Sequence, residues 1–431
     1  MKQIFFLLLL LSLFAPLQLT GQSYQQLLLN PELTAHARIQ PSHLAPLQEG
    51  VIKVGVDAGT RYGSTALPYG WLNQSDSFLD ETEKADWVNS FNGKEYVWTD
   101  ASIQAQVQTN FRGHRFSIGY AQGVDLRVSV PGRDLVELGL YGNVPFQNQT
   151  KGGSDLAFQN VRTQELQLAY AKPFGDREQV RVGAGIGIIQ GMGAQIIDVN
   201  TLSLYTGPDA DSVFLRAQYN EFQGSSGWGV SAVLGLDWQI NDLLSVEAAV
   251  SNLGTINWKG SSRSVNASFG TSGLVGGPLF QDIFPLSDSL FRLDTLNDLF
   301  LPGLTEGTQA QALLPRGYVG MGFHQGPVRI FGAFHLQQWM GGEYLPSGSL
   351  SAMYGISKSS DSSVDVASFG LNVSSSRWQA FGFGAMAKGV ISIGENQFVT
   401  LYLMADHLQG LVTPDTGRAL SVRGGLLYVI W

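Results

Sequence analysis

The chain has 431 residues, a formal net charge of −9, no cysteine, and only 14% charged residues alongside 52 glycines and 11% aromatics. Without cysteine there is no disulfide framework, zinc–thiolate cluster, thiol nucleophile or lipid-attachment cysteine, and the acidic balance argues against a nucleic-acid partner, which needs a cationic footprint. Beyond the N-terminus no run of about eighteen apolar residues occurs, which excludes helical membrane spans.

The first 21 residues, with Lys2 ahead of the apolar stretch Ile4–Leu11 and small residues near Gly21, read as a cleavable secretory signal (1–21). Residues 22–95 are an N-terminal segment of weak periodicity, broken by prolines, that reads as a plug or a first strand. Within it, DETEKADWVNSF predicts a short helix capped by Asp80, with Glu81 and Glu83 in its first turn.

From residue 96 to 431 the grammar is that of strands. In ASIQAQVQTNF, Ala101, Ile103, Ala105 and Val107 share one face and Ser102, Gln104, Gln106 and Gln108 the other; the turn RGH leads into the return strand RFSIGYAQGVDLRVSV. RTQELQLAYAKPFGDREQVRVGAGIGII repeats the scheme, with Leu166, Leu168 and Tyr170 opposite Glu165, Gln167 and Ala169. GWGVSAVLGLDWQINDLLSVEAAVSNLG turns at IND, and a later hairpin turns at QGP. A chain rich in glycine and aromatics, poor in charge and lacking spanning helices, with one oily and one wet face per strand, points to a transmembrane antiparallel β-barrel. Its length allows about fourteen to sixteen strands, with fourteen favoured.

The segment GPLFQDIFPLSDSLFRLDTLNDLFLPG interrupts the pattern. Leu290, Phe291, Leu293, Leu299 and Phe300 recur at helical spacing, so 279–303 is expected to be a helical insert that plugs the lumen, lies on the membrane or docks a partner. The final strand carries Leu420, Val422, Leu426, Tyr428 and Ile430 on one side and ends at Trp431; it is expected to close the barrel against the first strand. Short turns are expected on the periplasmic side and the longer loops YTGPDADS, KSSDSS and LVTPDTGRA outside. Trp228, Trp238, Trp258, Trp339, Trp378, Tyr402 and Tyr428 suit two interfacial girdles.

No catalytic, cofactor or metal constellation emerges. GAGIGIIQGMG does not complete a dinucleotide fingerprint and has no crossover helix; its Gly183, Gly185 and Gly187 instead leave room on one strand face. The six histidines are scattered, and pairing His335 or His407 with a serine lacks a nucleophile turn, so no enzyme is expected. Strand charges at Asp125, Arg127, Glu165, Arg181, Glu247 and Arg329 are candidates for the lumen, because each would cost a few kcal/mol facing lipid near the midplane.

The pieces QQLLLNPEL, VSNLGTINWKG, DSLFRLDTLNDLF, LLPRGYVGMGF and the closing LYLMADHLQGLVTPDTGRALSVRGGLLYVIW resemble the outer-membrane barrels of Bacteroidota grouped as a domain of unknown function, distantly PorP/SprF-like. That resemblance implies a Gram-negative outer-membrane location and a structural or interaction role in a secretion- or motility-type assembly; the alternative is a channel or transporter for small, partly hydrophobic solutes. The expected partners are outer-membrane lipid, the barrel-assembly machinery and envelope proteins.

Overall fold

Alternation builds the wall. In a computed structural model of the chain, which describes residues 51–68, 80–272 and 303–430 apart from short gaps at 92, 155, 176–177, 210–211, 358–364, 377–380, 395–396 and 414–415, Gln104, Gln106 and Gln108 are buried, whereas Val107 on the opposite face is exposed. Likewise Glu165, Gln167 and Ala169 face in, and Leu166, Leu168 and Tyr170 face out. The exposed side of each strand is therefore the oily one, the reverse of a water-soluble sheet and the arrangement a lipid solvent requires.

The strands are β1 (Ile52–Ser64), β2 (Lys94–Phe111), β3 (His114–Pro131), β4 (Gln149–Gly153), β5 (Leu156–Phe174), β6 (Val180–Thr206), β7 (Ser212–Gln239), β8 (Leu244–Ser272), β9 (Thr305–Ala312), β10 (Arg316–Gln325), β11 (Val328–Gln338), β12 (Tyr344–Ser357), β13 (Asp365–Ser376), β14 (Gly382–Gly394), β15 (Gln397–His407) and β16 (Ala419–Ile430). Fourteen of them close into an antiparallel ring in the order β10-β11-β12-β13-β14-β15-β16-β1-β2-β3-β5-β6-β7-β8, with β8 returning to β10. β4 pairs with the far end of β6, and β9 with the far half of β8.

The barrel begins earlier than residue 96. β1 pairs with β16 from Ile52↔Ile430 to Gly63↔Ala419 and with β2 along its whole length. Its inward positions are Lys53, Gly55, Asp57, Gly59, Arg61 and Gly63, and three glycines erase the polar–apolar contrast that marks the other strands. The closing strand does meet the first: Leu426 and Ile430 are exposed outward, while Ser421 and Arg423 are buried inside. The expected leader 1–21, residues 22–50, most of the expected 279–303 insert and Trp431 lie outside the described residues.

The turns RGH, PFGDRE, IND and QGP all fall at one end of the barrel, the end where β1 starts and β16 finishes. The KSSDSS connection is a correction: its own residues lie outside those described, but its anchors Ser357 and Asp365 pair at this same tight-turn end. Polarity alone does not tell a long inner turn from an outer loop. On β7 the exposed Trp228 and Trp238 bracket the exposed Val230, Leu234 and Leu236. Ten residues at about 3.3 Å each, tilted by about 40°, span roughly 25 Å of height, the depth of an outer-membrane apolar band. Trp258, Trp339 and Tyr402 do not join the girdle; all three are buried inside, because glycines such as Gly191 and Gly227 leave space where the Trp258 ring lies.

At the long-loop end, two helices pad the outer face of the seam. α1 (Glu81–Ser90) starts with the capping box of Asp80 and Glu83, as its sequence suggests. α2 (Arg133–Tyr141) has the glycine Gly132 as its N-cap and no side-chain cap, so nothing in the sequence announced it. Val88, Phe91, Val136 and Leu140 pack against Tyr62, Val97 and Leu420, which are outward residues of β1, β2 and β16. Glu137 ties α2 to β4, accepting from Lys151 at 2.7 Å and Arg133 at 2.6 Å.

On the lumen side the same seam is stitched by charge. Arg423 of β16 donates to Asp57 of β1 and, at 3.1 Å, to Ser102 of β2; Gln104 donates to Asp57 at 2.8 Å, and Arg61 pairs with Asp100 at 2.6 Å.

Both sets of contacts are testable. Arg423→Ala leaves Asp57 buried without its cation and lowers barrel stability by about 3–5 kcal/mol, whereas replacing both by apolar residues costs far less; urea unfolding in lipid vesicles measures both. Partial burial disfavours the Glu137 carboxylate, but the Lys151 and Arg133 hydrogen bonds outweigh it and hold its pKa below the usual value. A carboxylate depressed on folding contributes stability above its unfolded pKa and loses it as pH falls through the folded one, so the α2–β4 connection loosens below about pH 4. Limited proteolysis of 133–153 reads this as cleavage that rises with acid in the wild type and is already fast at neutral pH in Lys151→Met.

Candidate functional site

The lumen has two unlike walls. β8, β10, β11, β12, β14 and β15 turn Ala249, Tyr318, Phe331, Met353, Met386, Tyr402 and Met404 inward as one apolar cluster, whereas β2, β3 and β5 present glutamines, serines and charges. The residues of both walls are nearly fully buried, so the described lumen is a packed interior rather than a wide aqueous pore.

Across the long-loop mouth runs a strap. β11 and β12 sit opposite β2 and β3, with five strands between them either way round the ring, yet the short connection between β11 and β12 reaches the far wall. Arg127 of β3 donates to the Gln338 carbonyl at 3.3 Å and lies over the Trp339 ring at 5.0 Å. Trp339 is fully buried and meets Tyr96 of β2 edge-on, with centroids 5.4 Å apart. Glu343 accepts from Lys94 at 3.0 Å and from the Tyr96 hydroxyl. The connection includes a turn of 3-10 helix at Met340–Gly342. All these anchors are non-covalent, and the cation–ring contact is worth at most a few kcal/mol.

A charge cluster supports the strap from below. Asp125 binds Arg127 through two contacts at 2.7 Å and faces Arg316 of β10 at 3.7 Å; Arg61 lies over Trp98 at 4.4 Å. A pair of cavities lies on either side of the strap and cluster. One, about 90 Å3, lies toward β1, β15 and β16 and is lined by Arg61, Trp98, Tyr318, His335, Gln337 and His407 among others. The other, about 110 Å3, lies toward β5–β8 and is lined by Asp125, Arg127, Glu165, Ser231, Ile256 and Leu313 among others. Arg316 lines both.

The charges singled out from sequence are thus placed as follows. Asp125 and Arg127 belong to the cluster under the strap. Glu165 accepts from Ser231 beside the second cavity, and Gly187 lacks the Cβ that would collide with this pair, so the room left by the glycine strip is taken by side chains of β5 and β7. Arg181 pairs with Asp237 near the tight-turn end, Glu247 accepts from Tyr318 at 3.3 Å, and Arg329 sits on the Phe331 face of β11. These last three are not brought to the strap. His335 contacts Ser349 at 3.4 Å, too long for an activated hydroxyl, and stacks obliquely on Tyr318. Sequence reading missed Lys94, Tyr96 and Glu343 and placed Trp339 in the girdle; only the density of aromatic and charged residues in KEYVW and QQWMGGEY hints at the strap.

With this geometry in place, the chain can be set beside known proteins. A family of unknown function (DUF5723) matches residues 211–389, from β7 to β14 and including the strap. No curated protein matches. Among solved structures it is similar to the toluene transporter TbuX of Ralstonia pickettii (12% identity, 91% of this chain and 92% of that one, TM-score 0.46). It is also similar to the toluene transporter TodX of Pseudomonas putida (9%, 91% and 91%, 0.42) and to a FadL homologue of Pseudomonas aeruginosa (10%, 90% and 91%, 0.44). These likenesses are of fold.

If the strap is held as described, Leu345→Cys, the sole thiol of an otherwise cysteine-free chain, reacts slowly with a maleimide. Adding Arg127→Ala speeds labelling about tenfold or more, as loss of a charged hydrogen bond worth about 1.5–3 kcal/mol implies.

Proposed function

We propose that this protein is an outer-membrane channel for small, partly apolar solutes, closed at its outer mouth by the Gln338–Glu343 strap. The observation that carries the reading is the strap itself: an element that bridges opposite walls by non-covalent contacts, directly above an apolar lumen wall, is built like a gate rather than a permanent plug. Phe331, Met353, Met386 and Met404 offer a soft, adaptable surface for an apolar body. The charges of Arg61, Asp100, Asp125, Arg127 and Arg316 are already engaged with one another, so the cluster acts as a polar bar and not as a ring selecting one ion sign. The outer-membrane assignment rests on the closed antiparallel ring, the outward apolar face and the Trp228–Trp238 spacing.

A second reading, an interaction component of an envelope assembly of the PorP/SprF-like kind in Bacteroidota, is favoured by the length of β6, β7 and β8, which continue far beyond the girdle.

Planar-bilayer recording separates the two. Wild-type protein conducts little, Trp339→Ala opens a steady current, and a small aromatic solute reduces that current by occupying the Met-rich wall. A Trp339→Ala barrel as silent as the wild type would sink the channel reading.

A further inference from the structure

The cavity toward β1, β15 and β16 lies at the foot of the strap. Gln337 of β11 and Leu345 of β12, which pair directly across the hairpin next to the crossing segment, both line it. Its wall continues through Trp98 of β2, Tyr318 of β10 and Ser421 of β16.

Two of these lining residues hold a buried polar atom without a partner. Ser421 is 1% exposed, and neither its Oγ nor the Gln337 Nε2 has a hydrogen-bond partner among the described residues. A buried polar group left in that state is costly, and native proteins keep few of them. Both atoms belong to the lining of one cavity, so one occupant can serve both.

The charges nearby do not single out an ion. Arg61 faces Asp100 at 2.6 Å and Arg316 faces Asp125 at 3.7 Å, and Asp406 adds a carboxylate to the same wall. An anion would meet that carboxylate and a cation would meet two guanidiniums, so a neutral body enters at the least cost. The size is limited as well: a cavity of about 150 Å3 holds the six carbons of benzene, so one of about 90 Å3 suits about four non-hydrogen atoms.

We propose that this cavity is a binding subsite for a neutral solute of about four non-hydrogen atoms that carries a carbonyl or hydroxyl oxygen, a short amide or alcohol. The oxygen accepts from Gln337 Nε2 and from the Ser421 hydroxyl, and the alkyl part rests against Trp98, Tyr318 and Leu345. The naming of a solute class rests on the channel reading; occupancy of the cavity does not.

The test uses the full chain in nanodiscs and follows the methyl resonance of acetamide by saturation-transfer NMR, with acetate and acetamidinium as charged probes of the same shape. Wild type and Arg127→Ala, which frees the strap without touching the cavity lining, are both equilibrated with each probe, so that slow entry is not taken for a missing site. Acetamide is expected to bind saturably, and the two ions at least tenfold more weakly. Gln337→Met and Ser421→Ala, each removing one hydrogen bond, weaken acetamide about fivefold, and circular dichroism establishes that both remain folded barrels. No saturable acetamide binding in either protein, the result if ordered water alone meets the two polar atoms, overturns the proposal. So does either ion binding as tightly as acetamide, or both variants binding as wild type does. Acetamide binding beside a silent Trp339→Ala barrel upholds the subsite and sinks only the channel; a conducting Trp339→Ala barrel without acetamide binding does the reverse.

Discussion

A sheet immersed in hydrocarbon cannot keep an edge, because each unpaired N–H or C=O there has no water to turn to. Much of this molecule follows from that constraint. Fourteen strands close on themselves, and the longest-range contacts in the chain, between β1 and β16, are made in full register. Inward glycines on β1 let Arg423 and its partners lie across the joint, so the place where closure is entropically hardest also carries a buried polar network.

The lumen obeys a different rule, that of a packed interior. In its polar half Asp57 pairs with Arg423, Asp100 with Arg61 and Asp125 with Arg127, and its apolar half is filled by methionine and aromatic contacts. The strap joins the halves at one end. Because it is only the connection of a β-hairpin, moving it need not disturb the ladder of β11 and β12 below Gln338. A connection of this form separates the stability of the wall from the arrangement of the mouth.

Much of this architecture was legible in the sequence, and for physical reasons. ASIQAQVQTNF and RTQELQLAYAK carry their facing in plain alternation, and Asp80 with Glu83 writes a helix start. β1 was legible only as one of two alternatives, a plug or a first strand, because Gly55, Gly59 and Gly63 sit where polar residues would have marked the lumen. α2 was not legible, because it starts at a glycine without a side-chain cap and is held by tertiary packing. Trp258, Trp339 and Tyr402 have the same local sequence signature as girdle aromatics; which way each points depends on whether a neighbouring strand offers a glycine or a far wall offers a partner. The strap belongs to this second class. Nothing local in QQWMGGEY says that its contacts lie on β2 and β3, more than two hundred residues earlier.

The helical pad has a consequence for how the molecule is completed. Its apolar cluster draws on the residues just after β1, on α1 before β2, on α2 after β3, and on Leu420 at the start of the last strand. Three of these four contributors precede the fourth by most of the ring, so the cluster can be finished only once the two ends of the ring have met. The pad is therefore a checkpoint on assembly: it rewards the correctly zipped cylinder, and an unfinished sheet leaves its oily surface uncovered.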